Sequence, residues 1–129
     1  MLLQDIAWSF SEPVPSSPEE LVDAVESYHA RLNLSFNRAE LTDFSPFTCL
    51  DISYEYAVEV DDGDWDDVSV MVRVGDGSRK LAFAEILWRL HFHAHPVLKD
   101  QDHHFFEGLA LLEEEIEEGI PAYEVYLGS

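Results

Sequence analysis

The sequence predicts an α+β fold: a single domain over residues 1–129, built on an antiparallel sheet of about four to five strands with two helices packed on one face. Three observations carry that expectation. Residues 50–74 alternate apolar and polar side chains on either side of an acidic turn. Two segments, opening near Ser17 and Ser78, place apolar residues at helical spacing. Between residues 104 and 127, two strand-like runs flank a glycine. A chain of 129 residues fits one domain, and no repeat or linker-like stretch divides it.

Residues 1–16 read as an extended N-terminal arm. Ile6, Trp8 and Phe10 alternate with small or polar neighbours, the pattern of a short strand or a docked extended segment, and Pro13 and Pro15 keep the chain extended. A helix then starts at Ser17. Ser17-Pro18-Glu19-Glu20 supplies a capping serine, a proline at the first helical position and a glutamate three residues after the cap. Leu21, Val25, Tyr28 and Leu32 follow on one face. The segment 33–48 is irregular, with Phe36, Leu41, Phe44 and Phe47 expected to anchor it to the core.

In the next stretch Leu50, Ile52, Tyr54, Tyr56, Val58 and Val60 share one face, while Asp51, Ser53, Glu55 and Glu59 share a wet one. Asp61-Asp62-Gly63-Asp64 is a turn signal, and Val68, Val70, Val72 and Val74 alternate again, so 50–74 predicts a β-hairpin. Gly75-Asp76-Gly77 closes it. A second helix is expected over Ser78 to His95, with Leu81, Ala84, Leu87, Trp88 and His91 inward and Pro96 ending it. Residues 104–113 are expected to pair with 121–127 across a turn near Gly119; a helix over 109–118 is the competing assignment.

Charge is the strongest compositional fact. Twenty-seven Asp and Glu against seven Lys and Arg give a net charge of −20, which repels phosphate backbones and anionic lipid and excludes nucleic acid and membrane surfaces as direct partners. The same field attracts basic surfaces. A bland account, solubility alone or a high-salt interior, also suits a chain with only Lys80 and Lys99 as lysines. Apolar residues at 47% suffice for a core, and no run reaches the roughly 20 residues of a membrane helix. The segment Met1-Leu2-Leu3-Gln4-Asp5 lacks the features of a secretory signal, and a lone cysteine, Cys49, fits a reducing compartment; the expected address is cytoplasmic.

Five of the six histidines lie between positions 91 and 104. His91 and His95 fall one turn apart on a helix, and Asp102, His103 and His104 could return to complete a site for zinc or another divalent metal. Against this, Phe92 stands where a zincin has glutamate, His93 points away from its neighbours, and adjacent His103 and His104 diverge if extended. The competing account is core and surface histidines at a helix end.

Other motifs fail on spacing. Counted from Asp62, the sixth and twelfth positions of a calcium loop hold Asp67 and Arg73 instead of glycine and glutamate. Gly75 to Lys80 lacks the phosphate-loop spacing, and no nucleophile elbow is present. Cys49, entering an apolar strand, reads as core, and Glu113-Glu114-Glu115 as a solvated charge run. No residues read as catalytic, which leans away from an enzyme.

The acidic turn carries one exception to its polarity, Trp65, an aromatic among acids as at many protein interfaces. Asp61, Asp62, Asp64, Trp65, Asp66 and Asp67 are therefore the candidate partner-binding residues. The leading functional expectation is a non-enzymatic acidic module that neutralises a basic protein partner, similar in charge and size to immunity proteins and inhibitors. The alternatives are a metal-binding protein or metal-dependent enzyme on the His91–His104 cluster, and a structural domain that self-associates, for instance as a homodimer.

Overall fold

The computed structural model describes residues 1–129. Its elements follow the order β1 (Trp8–Ser9), α1 (Pro18–Arg31), α2 (Ala39–Thr42), β2 (Leu50–Glu59), β3 (Trp65–Val74), α3 (Phe83–Leu98), β4 (Phe105–Leu111) and β5 (Ala122–Gly128). The five strands form one sheet in the order β1-β4-β5-β2-β3. All neighbours are antiparallel except β2 and β5, which run parallel and pair only from Asp51↔Ala122 to Ser53↔Glu124. The α+β class is as expected, and the sheet is mixed because β5 must cross back to dock beside β2.

The β2–β3 hairpin forms a full ladder from Leu50↔Val74 to Glu59↔Trp65, closed by a 3₁₀ turn at Asp61–Gly63. Leu50, Ile52 and Tyr54 are buried on the helix-covered face. Asp51, expected on the wet face, is 2% exposed. Arg73 grips it with Nε and a terminal nitrogen, at 2.9 and 3.1 Å, and ties it to Glu117 in the β4–β5 connection. That charge-assisted pairing offsets the desolvation of the carboxylate.

Helix α1 starts as its sequence dictates: the Ser17 hydroxyl accepts from Glu20 N–H, while the Glu20 carboxylate reaches back to Ser16. Its inward face is Leu21, Val22, Val25 and His29, and Leu32 lies outside the helix at 50% exposure. In the segment 33–48, Leu41 on the single turn α2 is fully buried, and Phe36 and Phe47 pack against the core. Phe44, expected to be an anchor, is 70% exposed, because its backbone bridges Ala82 and turns the ring outward.

Helix α3 begins at Phe83 rather than Ser78. The intervening backbone is committed elsewhere: Leu81 N–H donates to the Phe47 carbonyl, Ser45 N–H to the Leu81 carbonyl and Phe83 N–H to the Asp43 carbonyl. Glu85 accepts from Ala82 N–H, the side-chain half of a capping box that alanine cannot reciprocate. The helix also runs through Pro96 to Leu98. Proline this near a C-terminus deprives only the Phe92 carbonyl of its donor, and the extra turn buries Leu98 completely. Helix α3 lies on β2 and β3, and α1 and α2 pack on α3.

The β4–β5 hairpin forms, with a bulge between Phe106 and Gly108, and the 112–121 connection holds no helix. Twenty-one buried residues make one continuous hydrophobic cluster. Cys49, read as core, is half-buried. No helix is long and apolar enough to cross a membrane.

Candidate functional site

Four of the six histidines lie along the N-terminal arm, each bonded to residues within 7–12. Nδ1 of His91 accepts from the Trp8 indole at 3.1 Å, so its Nε2 carries the proton and donates to the Glu12 carbonyl at 2.9 Å. His95 donates from Nδ1 to the Phe10 carbonyl. His29 on α1, passed over in the sequence, accepts Ala7 N–H on Nε2 and donates from Nδ1 to the Ser35 carbonyl. His104 pairs with the Ser9 hydroxyl at 2.7 Å. Four imidazoles from three parts of the chain thus hold residues 7–12 against the core.

His91 and His95 do share a face of α3, with ring centroids 5.4 Å apart, as the spacing required. Asp102 is exposed, His103 faces a different surface, and His104 belongs to Ser9. No group of three or more histidine, cysteine or acidic side chains lies close enough to hold a metal ion. Burial, reinforced by the neighbouring His95, pushes the His91 pKa down to about 4, against a smaller upward pull from the Glu12 carbonyl. A neutral imidazole with both nitrogens spent on protein groups is a structural tie.

The acidic hairpin tip is exposed throughout, and Trp65 stands out at 63% exposure instead of folding onto the sheet. No ion pair involves Asp61, Asp62, Asp64, Asp66 or Asp67. Arg31, Arg38, Arg73 and Arg79 are each committed to carboxylates elsewhere. Strand β3 is also the free edge of the sheet, and charges along such an edge oppose its pairing with a like copy.

A cleft of about 440 Å³ opens beside this hairpin, where β2 and β5 part company after Ser53↔Glu124. Glu55, Asp67, Glu107 and Glu124 line it together with Tyr54, Tyr56 and Tyr126, and no lysine or arginine does. The side-chain amide of Gln101 stands in for a neighbouring strand at Ala57, accepting its N–H and donating to its carbonyl, both at 3.1 Å. Tyr54 bonds to Nδ1 of His93 at 2.8 Å, and burial with Tyr56 alongside pushes its hydroxyl pKa up, so it stays protonated at neutral pH. His103 completes one wall.

Tip and cleft are continuous, since Asp67 lies opposite Ala57 in the hairpin ladder. The period-two pattern placed Glu55 on a wet face, but Glu107, Glu124 and Gln101 carry no local signal. Glu124 and Glu107 meet it through the docking of β5 between β2 and β4, and Gln101 through its two bonds to Ala57. The arrangement suits attraction and desolvation of cations: carboxylates without counter-charges, aromatic faces and exposed polar backbone in one recess. No family model matches the chain, and no match was found among curated proteins or solved structures.

Proposed function

We propose that the protein is a binding module for a basic protein partner, acting by occupying and neutralising a positive surface as immunity proteins and inhibitors do. The observation that supports this best is the run of carboxylates without counter-charge from the hairpin tip into the adjoining cleft, with Trp65 exposed among them. A field of one sign steers an oppositely charged partner and raises its association rate. An exposed tryptophan supplies apolar area to desolvate once contact is made.

The four acidic residues flanking Trp65 most closely make the decisive variant. Protein from the source cell is captured on the immobilised chain at low salt, and the retained partner is purified and its affinity measured as salt rises. The expected result is a basic protein whose binding falls steeply with salt. Asp62→Asn, Asp64→Asn, Asp66→Asn and Asp67→Asn together weaken it, while an equal charge change at Glu113, Glu114, Glu115 and Glu118 leaves most of it. Retention of neutral or acidic proteins alone, or equal sensitivity to both sets, refutes the proposal.

A further inference from the structure

We infer that the cleft between β2 and β5 receives a short extended segment of that basic partner as an added strand, with lysine or arginine at alternate positions; this rests on the function proposed above. The argument begins with hydrogen bonding. Parallel pairing uses Asp51 and Ser53 of β2, whose N–H and C=O groups point towards β5, and it stops at Ser53↔Glu124. By the alternation of a strand, Glu55 and Ala57 direct their main-chain groups the same way. Ala57 is satisfied by Gln101. Glu55 has lost its β5 neighbour, and on the facing side Leu127 directs its own N–H and C=O into the gap. Two strands that begin paired and then separate leave a slot with donors and acceptors on both walls, which matches a peptide backbone better than a compact ion.

Side-chain placement selects the occupant. Glu55 and Asp67 project from the sheet face opposite the helices, because they share the register of Ser53 and Ala57, and Glu124 joins them through its pairing with Ser53. Tyr54, Tyr56 and Leu127 project to the helix side of the same slot. A strand seated between these walls therefore meets carboxylates on one side and aromatic or apolar groups on the other. That is a period-two requirement: basic residues alternating with valine or threonine. A volume of about 440 Å³ lies within the roughly 300–1,000 Å³ of pockets that hold ligands, enough for a few residues rather than a long strand. Addition of a strand to an open edge, with main-chain bonds giving affinity and alternate side chains giving specificity, is an established physical mode of peptide recognition.

The test uses a capped hexapeptide, acetyl-Thr-Lys-Val-Lys-Thr-Lys-amide, titrated into the isotope-labelled full chain and followed residue by residue by nuclear magnetic resonance. A second peptide of the same sequence carries N-methyl groups on the threonine and valine amides, so its charge is unchanged but it cannot complete a ladder. The expected result is resonance shifts at Glu55, Ala57, Gln101 and Leu127, with the methylated peptide binding about tenfold more weakly, the worth of one or two main-chain bonds. Glu55→Gln with Glu124→Gln weakens the parent peptide by a similar factor, and Glu113→Gln with Glu114→Gln does not. Equal binding of both peptides, shifts confined to the hairpin tip, or no shifts at low salt each overturn strand addition. Those outcomes leave the capture experiment with a basic partner to decide the broader function separately.

Discussion

Acid titration of His91 isolates one buried tie and gives a magnitude. Its ring is fully buried, takes the Trp8 indole proton on Nδ1 and donates from Nε2 to the Glu12 carbonyl. Protonation would place a second donor against the indole N–H, so the folded state resists it, and the pKa falls from 6.5 to about 4. The unfolded chain binds that proton more readily. Stability from this group is therefore fully present above pH 6.5 and is lost as the pH falls towards 4. At 1.36 kcal/mol per pKa unit, the loss is about 3 kcal/mol. The comparison is with His91→Gln, whose amide keeps an acceptor and a donor but does not titrate. Urea unfolding of both proteins is followed by tryptophan fluorescence and circular dichroism at intervals from pH 8 to pH 4. Acidification also relieves the repulsion of a chain of net charge −20, but it does so in both proteins. The difference between the two stability curves should shrink by about 3 kcal/mol across that range. Parallel curves, or a His91 resonance titrating near the ordinary histidine value, would refute the reasoning.

Three further outcomes follow from the same geometry. Arg73→Met, which strands the buried Asp51 carboxylate, should lower the urea midpoint more than Asp51→Asn, because Arg73 keeps Glu117 when Asp51 is neutralised. Gly75→Ala should destabilise far more than Gly77→Ala, as read by thermal unfolding. Both glycines have positive φ, +87° and +86°, but a Cβ at Gly75 would lie 2.3 Å from the Thr48 carbonyl oxygen while Gly77 faces open space. The Gly77 change should cost about 1 kcal/mol for its backbone alone. Gln101→Ala should cost about 1 kcal/mol and speed hydrogen exchange at Ala57 N–H specifically, with the rest of β2 still protected by β3.

Local chemistry was legible in the chain wherever a rule acts over a few residues. The Ser17 cap, the alternation of 50–74 and its acidic turn, and the strand-like runs at 104 and 121 each gave an element close to its real bounds, because capping, pleating and turn formation are short-range. The docked arm was legible too, through Ile6, Trp8 and Phe10. Charge alone, without any fold, singled out the hairpin tip as the candidate surface for the basic partner proposed above. The tertiary structure decided what depended on distant segments. It started α3 at Phe83 because residues 43–47 claim the backbone before it, turned Phe44 outward, and buried Asp51 because Arg73 lay opposite. Five clustered histidines suggested an ion by proximity in sequence, yet the fold spent three of them, with His29, on the arm and on Ser35, partners far away in the chain. The cleft exists only because β5 docks parallel to β2 for three residues and then departs. Pairing between segments some 70 residues apart leaves no periodic trace in either one, so sequence determined the elements and their charge, and only long-range packing assembled the recess.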